Sequence, residues 1–148
     1  MPVSEREAAV DAWEALYRAQ VAVLRQLLAE FPHDEVSFTE YDVLFNLYRQ
    51  PGHGLRIRAL HRHLLLTQPS VSRLLDRLAS RGLVRKSSDP SDARGTIVTL
   101  TEAGLDVFRR IGTQHSASIS NRMSALDADE LHELARLSDK LRAGAAPD

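Results

Sequence analysis

The sequence of 148 residues contains no cysteine. Without thiols the chain forms no disulfide, binds no metal through thiolates and uses no sulfur nucleophile or redox switch. Long apolar runs are also missing: the longest, residues 21–24, falls far short of the roughly 20 residues that a membrane-spanning helix requires. These absences exclude several classes of sensor and predict no membrane association.

The N-terminal segment is acidic, with Glu5, Glu7 and Asp11 in place of the basic and apolar regions of a secretory signal. We therefore expect a cytoplasmic protein. Its length is that of one ordinary domain, and its composition, 43% hydrophobic and 26% charged, is typical of a globular chain.

Charge is unevenly distributed along the chain, although the formal net charge is only −1. Residues 51–100 hold nine basic side chains and three acidic ones. The basic set is Arg56, Arg58, Arg62, Arg73, Arg77, Arg81, Arg85, Lys86 and Arg94. A basic segment inside a nearly neutral protein is the pattern of a phosphate-binding surface, although an ordinary solvated surface has the same pattern.

Apolar residues at steps of three and four predict a long amphipathic helix over residues 5–31, which ends at Pro32. Thr39 and Asp42 form a candidate capping box for a second helix. After a short extended segment at residues 55–57, a brief third helix is expected to carry Leu60 and Leu64.

A fourth helix is predicted to begin at Thr67, a candidate N-cap, with Pro69 tolerated in its first turn and Gly82 ending it. Residues 83–86 and 96–100 are β-branched or alternate in polarity. Because the stretch between them, residues 87–95, is rich in turn formers, we predict a two-stranded hairpin.

Two more helices are predicted after the hairpin. Thr101 is expected to cap the fifth, and Asp127 with Glu130 forms the capping box of the sixth. A short helix, a tight turn, a second helix and a hairpin in succession are typical of a winged helix-turn-helix. We therefore predict a mainly α-helical fold of six helices with a small β-hairpin wing.

The fourth predicted helix has two chemically distinct sides. Its apolar residues share one side of a helical wheel, and polar residues occupy the other side and the first turn. Small serines let a helix approach base edges, glutamine pairs with adenine, and arginine pairs with guanine or holds a phosphate. The candidate DNA contacts here are Thr67, Gln68, Pro69, Ser70, Ser72, Arg73 and Arg77. An ordinary surface helix has similar side chains, but the hairpin that follows favours the DNA-binding interpretation.

The hairpin supplies two further candidates for DNA contact, Arg94 near its tip and Arg85 on its first strand. An arginine on a protruding tip reaches into a narrow minor groove, where the negative potential of the duplex is enhanced. Because an acidic side chain repels DNA, we expect Asp92 to brace the loop or orient an arginine, unless it only caps backbone amides.

Residues 37–104 resemble the MarR family of bacterial transcription regulators. The resemblance rests on SVSRLLDRL at 70–78 running into RGLV at 81–84, on DPSDAR at 89–94, and on VTLTEAG at 98–104. It implies a winged-helix homodimer in which the first, fifth and sixth helices build the dimer interface. It also implies that the fourth helix reads the major groove and that Arg94 reaches the minor groove or its backbone.

On this resemblance we expect one MarR-like chain, residues 1–148, with a DNA-binding lobe at 37–100 and dimerisation helices at 1–36 and 101–148. The expected partners are double-stranded DNA and a second copy of the chain. Two recognition helices about one DNA turn apart predict a pseudopalindromic operator with half-sites roughly 10 bp apart. Repression is the commoner mode in the family.

Two positions depart from the family pattern. Arg58 stands where the family often has a small helix-capping residue, and His61 replaces a common alanine in the third helix. Both add positive or titratable groups beside the expected DNA-binding face, so they predict either a phosphate contact or a weakened cap.

Many members of the family respond to small aromatic or phenolic anions, which makes such an effector a possible partner here. Trp13, Tyr17, Phe45 and His115 are the candidate ligand-contacting residues. Aromatic residues at helical spacing more commonly pack in a core or a dimer interface.

No metal or cofactor is predicted from the six histidines. His61 and His63 do not share a helical face, because neighbours on a helix are three or four residues apart. Some regulators of this type do bind zinc, which leaves Glu30, His33 and Glu40 as an alternative ligand set.

No enzymatic activity is predicted, since the sequence has no glycine-rich phosphate loop, metalloprotease motif or paired nucleophile and base. Two alternatives to an operator-binding repressor remain open. One is a winged-helix module used only for protein association, and the other is a metal-responsive regulator.

Overall fold

The computed structural model describes residues 3–64 and 68–145. The chain divides into two compact units, Met1–Glu30 with Ser116–Asp148, and Phe31–His115. We call the first the terminal-helix unit and the second the winged unit. The predicted DNA-binding lobe, residues 37–100, falls within the winged unit. None of the helices in the described ranges has the length and apolar character needed to cross a bilayer.

Six α-helices and three β-strands make up the described part of the chain, in an order that confirms the predicted winged helix-turn-helix. They are α1 (Val3–Glu30), α2 (Phe38–Tyr48), β1 (Gly54–Arg56), α3 (Ile57–His63), α4 (Gln68–Ser80), β2 (Val84–Asp89), β3 (Asp92–Leu100), α5 (Glu102–Arg122) and α6 (Ala128–Ala145). A single 3-10 turn, Pro51–His53, joins α2 to β1.

The wing is a three-stranded antiparallel sheet in the order β1, β3, β2. The predicted hairpin is confirmed as β2 and β3. The short extended segment predicted at residues 55–57 is a third strand, β1, whose membership of the sheet was not predicted because it is three residues long and shows no alternating pattern of its own. Leu55 of β1 pairs with Val98 of β3, so pairing with a distant strand stabilises this short segment.

The hairpin also extends further than its composition predicted. Ser87 pairs with Ile97, and Asp89 pairs with Asp92 across the tip. The predicted turn over residues 87–95 therefore shrinks to Pro90 and Ser91. Serine and aspartate favour turns in isolation, but ladder pairing to a long β3 overrides that preference.

Capping interactions fix the helix ends. The hydroxyl of Ser37 accepts the amide of Glu40 at 3.1 Å, and the Glu40 carboxylate accepts the amide of Ser37 at 2.9 Å. This box corrects the predicted one at Thr39 and Asp42, because the same spacing occurs two residues earlier with a longer acidic side chain that reaches back to the cap.

Three other predicted helix ends are confirmed, and the predicted N-cap of α4, Thr67, lies outside the described residues. Gly82, with φ 73°, ends α4, and the amide of Leu83 donates to the carbonyl of Leu78 in the manner of a Schellman motif. The Thr101 hydroxyl caps α5 by accepting the amide of Gly104 at 3.0 Å. The Asp127 and Glu130 capping box begins α6, with both bonds at 2.9 Å.

The hydrophobic core of the described residues lies in the winged unit. Its fully buried side chains come from α2, α3, α4 and the sheet, and the largest are Leu44, Leu47, Leu60, Leu75 and Leu78. By contrast, neither α1 nor α6 contributes a buried residue among those described. The winged unit thus has a complete core, and the long terminal helices do not.

Candidate nucleic-acid interface

Helix α4 presents a polar face to solvent because its apolar stripe is buried. The stripe consists of Val71, Leu74, Leu75 and Leu78, each at most 2% exposed. The side chains on the opposite face are exposed, namely Ser72, Arg73, Asp76 and Arg77. The burial of the stripe fixes the rotation of the helix, so these polar side chains are directed outward.

Of the remaining candidate DNA contacts near the start of α4, only Ser70 has a described side chain. Ser70 is half-buried in the first turn of α4. Gln68 and Pro69 begin the helix, but their side chains fall outside the described part of the structure, and Thr67 lies outside the described residues altogether. The side chains of α4 that the structure describes therefore begin at Ser70.

The wing tip is held by Asp89, a residue that sequence reasoning did not single out. Its carboxylate accepts the amide of Ser91 at 2.9 Å and the hydroxyl of Ser91 at 2.8 Å. The guanidinium of Arg56, on β1, lies 2.6 Å from the other carboxylate oxygen. These hydrogen bonds, together with the Arg56 charge, lower the pKa of Asp89.

Asp92 has a smaller role than Asp89. Its carboxylate accepts the backbone amide of Arg94 at 3.0 Å, which leaves the exposed Arg94 guanidinium outside that interaction. Asp92 thus braces the loop by capping an amide, and it is Asp89 that contacts an arginine side chain. The pairing of Arg56 with Asp89 was not readable from sequence, because it depends on β1 joining the sheet.

The basic side chains of the winged unit divide into paired and unpaired groups. Arg56 pairs with Asp89, Arg81 with Glu40 and Lys86 with Asp76. The ion pairs formed among the described residues do not include Arg58, Arg73, Arg77 or Arg94. The unpaired guanidiniums are the groups available to phosphates and base edges.

Arg85 lies apart from the α4 side of the sheet. Lys86 forms its ion pair with Asp76 of α4, and successive residues of a strand point to opposite faces. Arg85, which pairs with Thr99, is therefore exposed on the other face of β2. The structure brings Ser72 and Arg94 to one recess, whereas Arg85 is not among its lining residues.

A buried leucine stripe, an outward cationic helix face and a braced arginine wing together define a winged-helix nucleic-acid-binding protein.

Known proteins share this arrangement. A sequence model described as the MarR family matches residues 35–95. The chain is 26% identical over 131 residues, 88% of its length and 82% of the relative, to the uncharacterized HTH-type transcriptional regulator YhbI of Bacillus subtilis (strain 168).

Solved structures agree in fold. Sco3205, a MarR family transcriptional regulator from Streptomyces coelicolor in complex with DNA, is similar with a TM-score of 0.78 at 23% identity, covering 100% of this chain and 92% of that one. The PcaV transcriptional regulator from the same organism, in complex with its natural ligand, has a TM-score of 0.63 at 27% identity, covering 94% and 92%. The chain is thus similar to DNA-binding transcription regulators of the MarR family, in sequence over residues 35–95 and in fold along its length.

The candidate ligand residues fall in both units. In the terminal-helix unit, Trp13 and Tyr17 are 57% and 52% exposed, and their ring centroids are 5.6 Å apart. In the winged unit, Phe45 lies 6.3 Å from the ring of Phe108. His115 is buried in the winged unit, only 6% exposed.

His115 sits in an aromatic cluster. Its ring makes edge contacts with Phe31, Phe38 and Tyr41 at centroid distances of 5.3, 5.6 and 5.2 Å. Its Nδ1 is buried without a hydrogen-bond partner among the described residues. Burial lowers the pKa of His115, because a charged imidazolium is poorly solvated among aromatic rings.

Each of the three alternative metal ligands, Glu30, His33 and Glu40, has another contact in the structure. Glu40 serves the Ser37 cap and Arg81, and Glu30 pairs with Arg122. His33 lies against the ring of Phe31. No group of three metal-binding side chains occurs within residues 3–64 and 68–145.

The contacts of Asp89 predict how strongly the amides of the wing tip are protected from hydrogen exchange. Replacement Asp89→Ala removes both bonds to Ser91 and the partner of Arg56, so we expect amide hydrogen exchange at Ser91 and Arg94 to accelerate roughly tenfold or more. Asp92→Ala is the matched control and should affect the Arg94 amide alone. Equal protection of the Ser91 amide in wild type and Asp89→Ala would refute the bracing role.

The lowered pKa of His115 makes a prediction about stability. The unfolded chain takes up the histidine proton near its ordinary pKa of about 6.5, whereas the folded chain resists it until a lower pH. Stability should therefore fall as pH drops below about 6.5, and His115→Phe should show a smaller fall. Urea unfolding midpoints between pH 8 and 5 measure this, with the exposed His132→Phe as control. A parallel decline in wild type and His115→Phe would count against it.

Proposed function

We propose that this chain is a transcription regulator of the MarR family, a homodimeric repressor that binds a pseudopalindromic operator, with α4 in the major groove and the wing tip at the flanking minor groove. The observation that carries this proposal is the exposed polar face of α4, on which Ser72, Arg73 and Arg77 project outward while the opposite stripe is buried. Unpaired guanidiniums and small hydroxyls are the groups that read base edges.

Each candidate has a chemical role in this proposal. Arg73 and Arg77 are one helical turn apart and contact guanine edges or the phosphates beside them. Arg94 enters the minor groove or contacts its backbone from a tip braced by Asp89. Gln68 and Ser70, in the first turn, lie where recognition helices contact bases, and Thr67, Pro69 and Arg85 remain sequence-based candidates.

The dimer is supported by the exposure of the terminal helices. In α6 the apolar stripe of Leu134, Leu137 and Leu141 is 38%, 48% and 57% exposed. An apolar groove of about 320 Å³ in the same unit is lined by residues that include Leu16, Leu24, Leu27 and Met123. Helices do not persist on propensity alone, so an uncovered apolar surface of this extent fits burial against a second copy.

Repression and location complete the proposal. A dimer bound across an operator that overlaps a promoter excludes other proteins from that DNA, which makes repression the simplest outcome. Such an operator lies on the chromosome, so we propose that the protein acts in the cytoplasm. The relatives reported above come from bacteria, which is consistent with this location.

DNA recognition is tested by selecting bound duplexes from a random pool. We expect a recovered pseudopalindrome with half-sites roughly 10 bp apart. Arg77→Ala should cost roughly 1–3 kcal/mol and relax preference at one position, whereas Arg94→Ala should weaken binding more evenly across sequences. An affinity for DNA that falls steeply with salt but is the same for every duplex would favour a protein-association module with a basic face. An Arg94→Ala variant with unchanged affinity would remove the wing from the proposal.

Dimerisation is tested on α6. Leu137→Asp places a charge in the exposed apolar stripe, so we expect sedimentation to report a monomer and operator affinity to fall at least a hundredfold. Ala135→Asp adds the same charge on the opposite side of the helix and should leave the dimer intact. A wild-type protein that sediments as a monomer at micromolar concentration would disprove this part of the proposal.

The proposal extends to a small aromatic anion that releases the protein from DNA. It is supported by the PcaV structure, which holds that protein's natural ligand, and by the unpartnered Nδ1 of His115 within an aromatic cluster. Calorimetric titration with phenolic acids, in the presence and absence of operator, tests it. Absence of binding heat together with undiminished operator affinity across the panel would exclude this class of effector.

A further inference from the structure

An open recess lies beside the polar face of α4, between α3, α4 and β3. It has a volume of about 420 Å³. Its polar lining comes from three elements: Arg58 and His61 of α3, Ser72 of α4, and Arg94 and Thr96 of β3. Ser72 and Arg94 have a role in the proposed function, whereas for Arg58 and His61 the sequence left a phosphate contact and a weakened cap as alternatives.

Every polar side chain that lines the recess can donate a hydrogen bond. Arginine has donors only, and histidine, serine and threonine each offer at least one. The acidic side chains of α4 and the wing are engaged: Asp89 with Arg56, Asp76 with Lys86, and Asp92 with the amide of Arg94. The recess therefore suits a group that presents several acceptor oxygens and negative charge.

Arg58 is the cation best placed to serve this recess. It is exposed, and it takes no part in the ion pairs of the described residues. It also lines an adjoining recess of about 220 Å³, together with Arg56, Arg62 and Asp92. Arg58 is thus a lining residue of both recesses.

His61 adds a second donor. Its Nδ1 is buried and has no hydrogen-bond partner among the described residues. A buried ring nitrogen without a partner favours a ligand at the histidine, and His61 contributes to the lining of the recess.

We infer that this recess is a phosphate site, in which Arg58 and His61, together with Arg94, hold one phosphodiester group of the DNA backbone. The inference rests on the proposed function and deepens it by assigning a phosphate contact at α3. Backbone contacts of this kind set the register of a recognition helix without reading sequence. Arg58 and His61 therefore position α4 and contribute affinity rather than specificity.

The experiment measures the affinity of the full-length protein for a duplex recovered by selection and for an unrelated duplex, by fluorescence anisotropy across a salt series at pH 8. We expect Arg58→Ala to weaken both complexes roughly tenfold, as the loss of one charge-assisted hydrogen bond predicts. The slope of log affinity against log salt should fall by about 0.9, the value for one phosphate contact. Arg58→Lys should restore the slope, because it restores the charge.

His61→Ala should weaken both complexes about threefold to tenfold, because one hydrogen-bond donor to the phosphate is lost. The matched control is Arg109→Ala, which removes an exposed cation of the winged unit that does not line the recess. Unchanged affinity and slope in Arg58→Ala, with wild type binding normally, would overturn the phosphate site and leave the proposed function standing. A wild-type protein that binds neither duplex would overturn both.

A free anion is the other source of the same chemistry, and phosphorus NMR with inorganic phosphate, in the absence of DNA, distinguishes it. Phosphate binding that Arg58→Ala abolishes, combined with an unaltered salt slope for DNA, would assign the recess to a small anion and refute its role on the backbone. A reduced slope for DNA supports the inference whether or not free phosphate binds.

Discussion

Burial of one stripe of α4 is the constraint on which the DNA-binding surface depends. Val71, Leu74, Leu75 and Leu78 are almost completely removed from solvent. Burying each such side chain is worth up to about 1.5–3 kcal/mol, more than any exposed ion pair contributes. A rotation of α4 that hid its arginines would expose these side chains. The cationic face is therefore outward because of the core, not because of its own contacts.

The wing depends on a second, smaller interaction. Asp89 is 5% exposed, yet it is charged at neutral pH because the amide and hydroxyl of Ser91 and the cation of Arg56 stabilise the carboxylate. This arrangement links the hairpin tip to β1 at the start of α3. Asp89 consequently stabilises both the wing that carries Arg94 and the recess beside α4, which Arg94 also lines.

The two units of the chain differ in completeness. The winged unit has a core built from α2, α3, α4, the sheet, the first half of α5 and the segment before α2. The terminal helices have no buried residue among those described, although they carry regularly spaced apolar side chains. An amphipathic pattern indicates that a face will be covered, but it does not say by which molecule. That difference is why the core of the winged unit is complete within one chain, whereas the apolar faces of α1 and α6 stay exposed in it.

The sequence by itself determined the order of elements, the polar face of α4 and most helix ends. These are local properties: hydrophobic spacing, capping side chains and Gly82 act over three to five residues. It misplaced the start of α2, because two similar capping patterns overlap there. The hairpin predicted from the sequence was also too short, because the residues near its tip favour turns when they are considered without their strand partners.

Only the tertiary structure decided which charges are free. Arg56, Arg58, Arg81 and Lys86 look alike in the sequence, yet three form ion pairs, and Arg58 forms none with the residues that the structure describes. The partners Asp89, Glu40 and Asp76 lie 10 to 41 residues away along the chain, and strand pairing and helix packing bring them close. Charge composition therefore indicated a phosphate-binding segment, and the fold selected the side chains within it that remain available to DNA.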